Sequence, residues 1–244
     1  MRVIFWNIRA GGGTRVGRIA RQLERWAPDV VALCEFRATP PSFELAGALA
    51  SLGLTYQCTT AHRAQPSANC LLVAARWPLR RLRLRAQPDE PGRWLLTAVG
   101  APRPLMLGAM HVPNRDSGRK YLFHAAVLAL LDRWRRGPAL ILGDTNSGLP
   151  GIDEQTPVFG PREAAWLQTL ERLGWLDGFR LLRGAARTYT WYSPTRRNGF
   201  RIDQAFVNAE LRARLRDVRY DWGRRGAHVT TPSDHAALLL DLRG

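Results

Sequence analysis

Six groups of polar residues fall at the ends of apolar stretches in this 244-residue chain. Trp6-Asn7 closes the stretch 2–8, and Glu35 closes 29–35. His111 follows Pro104–Met110, and Gly143-Asp144-Thr145-Asn146 follows Ala139–Leu142. Asp203 lies within Arg201-Ile202-Asp203-Gln204, and Ser233-Asp234-His235 precedes the last apolar stretch, 236–242. In an open α/β sheet, ligand groups gather outside the carboxyl ends of strands, so one pocket can collect most of these side chains. Asp234 and His235 must then reach it from a preceding loop.

The residue types point to a reaction. Glu35, Asp144 and Asp234 are hard oxygen ligands or bases, suited to Mg²⁺ or Mn²⁺ rather than zinc. His235 beside Asp203 is a base with a carboxylate that fixes its tautomer and stabilises its charged form. Asn7 and Asn146 offer neutral donors to a phosphate oxygen. No activated serine or cysteine is evident, so the attacking group is water. The set describes metal-assisted hydrolysis of a phosphate ester. Taken singly, each piece has a plainer reading. Gly-Asp-x-Asn is also a turn sequence, Glu35 could merely end a strand, and Asp203 could pair with Arg201. The ordered joint occurrence carries the argument.

Alternating helix and strand patterns must position these groups. Strands are expected at 2–8, 29–35, 54–59, 68–75, 79–86, 93–99, 104–111, 138–143, 188–192, 201–208, 215–221 and 236–242. Helices are expected at 15–26, 42–52, 117–136 and 161–173, and a loop at 144–160. The run Val30 to Cys34 is apolar throughout, as in a strand buried on both faces. Interleaving without a linker favours one α/β domain over residues 1–244. In 80–85, Arg81, Arg83 and Arg85 alternate with Leu82 and Leu84, which fits either a charged edge that blocks strand pairing or a phosphate-contacting face. Gly11-Gly12-Gly13 matches no dinucleotide fingerprint and reads as a flexible loop near the pocket. His124, on an apolar helix, reads as a packing residue, and His62 and His228 carry still weaker signals.

Composition limits the partners. Thirty-six basic residues against 20 acidic ones give a net charge of +16. Lys120 is the only lysine; a GC-rich genome explains arginine in place of lysine but not the excess of bases. Such a surface attracts polyanions, nucleic acid first among them, then anionic lipid or a phosphorylated small molecule. Hydrophobic residues make up 45% and charged residues 23%, which excludes a disordered chain. No apolar run approaches the roughly 18–20 residues of a membrane span, and the N-terminus turns polar at Asn7, too early for a signal peptide. Three cysteines, Cys34, Cys58 and Cys70, cannot all pair and lack metal-ligand spacing, so a reduced cytoplasmic protein is expected.

The ordered set Trp6-Asn7, Glu35, His111-Val112-Pro113-Asn114, Gly143-Asp144-Thr145-Asn146, Arg201-Ile202-Asp203 and Ser233-Asp234-His235 resembles the endonuclease/exonuclease/phosphatase superfamily, over almost the whole chain. The exonuclease III and AP endonuclease branch is the nearest. Pro161-Arg162-Glu163-Ala164-Ala165-Trp166, Leu173–Arg180, Tyr189-Thr190-Trp191-Tyr192 and Asn198–Asp203 are similar to its helix, turn and late strands. Asn7-Ile8-Arg9, Cys34-Glu35-Phe36-Arg37 and His111 sit closer to deoxyribonuclease I. The resemblance implies a four-layer α-β-β-α sandwich, two packed mixed β-sheets flanked by helices.

It also implies roles. Glu35 binds the divalent metal with Asn7 close by, and Asp234 supports the metal side. Asp144 orients or deprotonates the water, Asn146 holds the scissile phosphate, and Asp203 orients His235 against it. His111 stands at the leaving oxygen as general acid or hydrogen-bond donor. Arg9 replaces a carboxylate or amide common in AP endonucleases, so one tightly held metal is expected. Trp191 and Phe200 resemble the wall of a pocket for a flipped, base-free sugar; as plain core aromatics they would have no such part. Asn114, Arg115, Arg119 and Lys120, with Arg196 and Arg197, are the expected backbone contacts. The implied protein is a monomeric Mg²⁺- or Mn²⁺-dependent DNA nuclease with no obligate protein partner. Competing readings are a phosphatase or phosphodiesterase on a phospholipid or inositol phosphate, a non-specific deoxyribonuclease I-like endonuclease, and a binding module without activity.

Overall fold

The computed structural model describes residues 1–223 and 231–244; His228 lies outside them. In β1 (Arg2–Asn7), Val3, Ile4, Phe5 and Trp6 are all fully buried. Successive side chains point to opposite faces, so such a strand must lie inside a stack of layers.

One sheet runs in the order β13 (Leu215–Asp221), β14 (Ala237–Leu242), β1, β2 (Val30–Phe36), β4 (Cys70–Ala75) and β3 (Tyr56–Thr59). The other runs β5 (Leu79–Leu82), β6 (Trp94–Val99), β7 (Leu105–His111), β8 (Ala139–Asp144), β12 (Asp203–Val207) and β9 (Leu176–Asp177). Val3, Phe5, Val30 and Ala32 of the first sheet meet Leu107, Leu140 and Leu142 of the second in a core between them. On the outer face of the first sheet, Ile4 and Trp6 pack with Ile19 and Leu23 of α1 (Val16–Trp26) and with Leu45 and Leu49 of α2 (Pro40–Ser51). On the outer face of the second, Met110 and Ile141 pack with Phe123 and Val127 of α3 (Lys120–Asp132) and Trp166 of α4 (Pro161–Arg172). The result is the expected α-β-β-α stack.

Four local expectations are corrected. The strand expected at 79–86 ends at Leu82, so Arg83 and Arg85 lie beyond it. The helix expected at 117–136 occupies only Lys120–Asp132, because Gly118 at φ +69° ends a separate turn before it. The expected 188–192 strand shrinks to β10 (Trp191–Tyr192), a two-residue pairing with β11 (Gly199–Phe200). Gly11 and Gly12 form a packed turn rather than a loose loop. Gly11 N–H donates to Glu35 O at 2.7 Å, and a Cβ on Gly11 would lie 2.8 Å from Ser42 Oγ. Two short helices escape the sequence pattern, the first being α5 (Gly178–Arg183). Six residues are too few for periodicity, but Asp177 Oδ1 caps it, accepting from the backbone N–H of Phe179 at 2.9 Å. A short helix α6 (Ala209–Arg212) follows β12.

Gly143 shows how tightly the site-bearing strands are packed. A Cβ there would lie 2.1 Å from Met110 O on neighbouring β7. Backbone cannot yield as a flexible side chain does, so Gly143→Ala is expected to destabilise the fold by about 3 kcal/mol. Thermal denaturation would check this. No helix among the described residues is long and apolar enough to cross a membrane, and all three cysteines are free.

Candidate active site

Strand direction brings the polar groups to one edge. β1 and β2 are parallel, as are β7 and β8, so each pair ends together. β12 runs antiparallel to β8, and β14 antiparallel to β1, so these two begin where the others end. Asp203, which opens β12, and Asp234-His235, just before β14, thereby reach the same edge. Across three adjacent strands, His111 pairs in register with Asp144, and Asp144 with Asp203. Residues opposite one another in a sheet share a face, which sets these three side chains in a row.

The first sheet closes the pocket from the other side. Asn7 Nδ2 donates to Asp144 Oδ2 at 3.1 Å and to Glu35 Oε1 at 3.2 Å, joining the two sheets through one amide. Glu35 has φ +57° and sits at a register shift between Cys34 and Phe36. That bulge turns its carboxylate to the pocket, where Oε2 accepts from Ala10 N–H at 2.7 Å. Asn146 is also left-handed, at φ +47°. Its backbone N–H donates to Asp144 Oδ1 at 3.0 Å and its Nδ2 to Val112 O at 2.8 Å.

His235 Nδ1 lies 3.0 Å from Asp203 Oδ2. Both are buried. Burial opposes charge on the imidazole, but Asp203, followed by Asp144 and Asp234, outweighs it and raises His235 to about 9. Asp144 is pushed up, first by burial and then by Asp203, against the pull of His235. His111 goes the other way. Burial first, then the charges of Arg93 and His235, drop it to about 3. Its Nε2 lies 3.8 Å from Asp144 Oδ2, and its Nδ1 is buried without a partner. A neutral imidazole can donate one hydrogen bond.

The pocket has a volume of about 460 Å³ and is lined by Glu35, His111, Asn114, Asp144, Asn146, Trp191, Asp234 and His235. The sequence reading had singled out all eight. Ala10, Ile202 and the expected anomaly Arg9 line it too, with Arg9 Nε 3.7 Å from Asp234. Trp191 lies against His235, their ring centroids 6.1 Å apart. Asn69 and Arg93 on the rim were missed. Arg93 immediately precedes β6, which is antiparallel to β7, and its backbone C=O accepts from His111 N–H at 3.0 Å. Arg93 closes no apolar run, because antiparallel strands bring their amino ends to the edge where parallel strands bring their carboxyl ends. Gly92-Arg93-Trp94 ahead of an apolar run was the available signal.

Four expected substrate contacts are placed elsewhere. Phe200 is buried behind Trp191 at 5.9 Å and faces Phe159, so it backs the wall without forming it. Arg197 lines a separate surface hollow with Tyr189 and Tyr192. Arg115 is half-exposed and paired with Glu163 at 2.9 Å. Lys120 is buried, with Nζ 2.7 Å from Asn146 O and 2.9 Å from Glu163 Oε1. It supports Asn146 from behind and cannot reach a phosphate. Burial would raise Glu163, but Lys120 and Arg115 hold it near 2. Lys120→Ala leaves that buried carboxylate to Arg115 and Tyr121 and is expected to destabilise the protein by about 3 kcal/mol. Denaturant titration would check the loss. His124, as expected, packs: it stacks on Trp166 at 4.1 Å.

The donor set fits a divalent cation. Two carboxylates, Glu35 and Asp144, flank one amide, and among the described residues neither is paired with an arginine or lysine. Oxygen donors of this kind suit Mg²⁺ or Mn²⁺. Asp144, Asp203 and His235 offer ligand atoms within 4.8 Å of one another, but Nδ1 of His235 is already committed to Asp203.

A buried carboxylate, a histidine paired with a second carboxylate, and amide donors gather around one pocket on a two-sheet scaffold. The chain belongs to the Endonuclease/Exonuclease/phosphatase family, whose model matches residues 4–235. Among solved structures it is similar to the 3' phosphatase NExo from Neisseria bound to a product DNA hairpin, at 24% identity, TM-score 0.83 and full coverage of both chains. It is also similar to the 3'-5' exonuclease NExo from Neisseria meningitidis, at 24% identity, TM-score 0.82 and full coverage of both. An AP endonuclease from Archaeoglobus fulgidus shares 18% identity with a TM-score of 0.83 over 99% of each chain. No curated protein sequence matches the chain.

Proposed function

We propose that the protein is a Mg²⁺-dependent phosphodiesterase that hydrolyses the DNA backbone, of the exonuclease III/AP endonuclease type. The carrying observation is the in-register row His111–Asp144–Asp203, closed by His235 and by the Asn7–Glu35 pair. Around it lies a chain of net charge +16, which favours a polyanion over a neutral or small substrate.

Asp144 orients the attacking water and takes its proton. Burial makes its carboxylate a stronger base than an exposed aspartate, closer to working pH. His235, held as the imidazolium by Asp203, faces the phosphate and stabilises the charge that grows on it. Asn146 holds the scissile phosphate, with its backbone fixed by Asp144 and Lys120 and its side-chain amide oriented by Val112 O. His111 donates a hydrogen bond to the leaving oxygen. Glu35, with Asn7 and Asp234 beside it, would hold a single cation, the positive charge of Arg9 beside Asp234 disfavouring a second. When bound, that cation neutralises phosphate charge and polarises the ester. Trp191 packs against the sugar, and Asn114 reaches the adjoining backbone. The enzyme acts as a cytoplasmic monomer, one domain over residues 1–244.

An end-labelled duplex carrying one abasic-site analogue tests this, run beside undamaged duplex, single strand and a 3'-phosphorylated end. One EDTA-sensitive cut immediately 5' of the lesion is expected. A ladder on every substrate would place the enzyme nearer deoxyribonuclease I. Intact DNA throughout, with release of phosphate from an inositol phosphate or phospholipid, would overturn the reading.

A further inference from the structure

A second charged cavity lies at the far end of α3. Its volume is about 360 Å³, its floor is Leu84, Leu130 and Trp134, and its walls are Arg85, Arg133, Arg135 and Arg136. No carboxylate is among the residues that line it. The 13 residues of α3 separate it from Asn146 by roughly 20 Å at 1.5 Å per residue. A helix end attracts cations, and this explains Arg135, which donates to the backbone oxygens of Asp132 at 3.3 Å and Trp134 at 2.6 Å. It does not explain Arg85, which arrives from the segment after the edge strand β5. Among the described residues, Arg85, Arg133 and Arg136 have no ion pair or side-chain hydrogen bond. Four like charges around one hollow repel one another until an anion enters.

We propose that this cavity is a second, non-catalytic nucleic-acid-binding site, which grips backbone phosphates of a segment outside the catalytic pocket. The proposal rests on the DNA-hydrolysing function proposed above. Guanidinium forks match phosphate oxygens two at a time, and several forks around one hollow suit the repeated phosphates of a polymer. A membrane surface is the poorer match. The exposed large apolar side chains Phe43, Tyr56, Leu122, Val158, Leu182 and Tyr192 all lie outside this lining, so among the described residues no exposed large apolar side chain lines the cavity for insertion into a bilayer. The site absorbs part of the basic run Arg81–Arg85, where the sequence left open an edge guard or a phosphate-contacting face. Arg85 takes the second role.

The test compares wild type with the triple variant Arg85→Gln/Arg133→Gln/Arg136→Gln. Fluorescence anisotropy with a 30-base-pair duplex in EDTA reads affinity against salt. Losing three phosphate contacts is expected to reduce the slope of log K against log salt by about 2.7, and to weaken low-salt binding at least tenfold. Mg²⁺-dependent cleavage of a duplex too short to span both sites stays at the wild-type rate. Equal slopes for the two proteins would overturn the proposal. So would vesicles of anionic phospholipid that bind wild type and not the variant while duplex binding is unchanged. Failure of the underlying function looks different: no Mg²⁺-dependent cut in any DNA by wild type.

Discussion

Asp144→Asn is expected to lower the rate of phosphate ester hydrolysis by about 10³-fold with little change in the melting temperature. The asparagine keeps the shape, and its one amide oxygen can still accept from Asn146 N–H, while the bond from Asn7 Nδ2 is lost because an amide nitrogen does not accept. What it loses is basicity at the only buried carboxylate flanked by both His111 and Asp203 in register. The substitution also removes one of the negative charges that favour a cation. Duplex affinity in EDTA should therefore stay equal or rise, because a like charge no longer opposes the phosphate. Single-turnover rates, anisotropy and thermal melts on the same samples would separate these effects. A variant that binds normally and still cuts at a tenth of the wild-type rate or better would remove Asp144 from the role of base.

Asp203→Asn should be nearly as damaging, with a loss of about 10³–10⁴-fold near neutral pH. Its carboxylate fixes the tautomer of His235 and holds the proton on it. With Asp203 present, His235 titrates at about 9 against an ordinary 6.5. Wild-type activity should thus persist through neutral pH and fall as pH rises through about 9. In the variant the imidazolium loses its main partner, and the alkaline limb moves towards neutrality. Stability carries the same sign. A raised folded-state pKa contributes stability in full below about 6.5 and loses it as pH rises through about 9. The melting-temperature deficit of the variant should therefore be largest near pH 6 and shrink by pH 10. A pH-rate profile whose alkaline limb is the same in both proteins would sink this assignment.

Much of the scaffold was legible because strands buried on both faces are written as continuous apolar runs. Val30–Cys34 and Ala139–Leu142 could hardly be anything else, and the amphipathic α1 shows itself through Ile19, Leu23 and Trp26. Local elements held by one or two polar bonds were harder to read. α5 depends on the Asp177 cap and β10–β11 on two residue pairs. The site was legible where polar residues close apolar runs, as at Asn7, Glu35, His111 and Asp144. It was hidden where strand direction decides proximity, as at Arg93, whose place beside His111 follows only from β6 running antiparallel to β7. Residue type also misled at Lys120. A lone lysine in a basic segment reads as a surface cation, yet Glu163, 43 positions later, draws it inward. Only the fold brings that partner close.

The most direct test of the account follows single-turnover cleavage of a defined duplex in ¹⁸O-labelled water, with Mg²⁺ or with EDTA, by wild type and Asp144→Asn. The account predicts one ¹⁸O atom on the newly exposed phosphate, a reaction abolished by EDTA, and a rate about 10³-fold lower in the variant. Label-free product phosphate, or wild-type cleavage that survives both EDTA and the loss of Asp144, would contradict it.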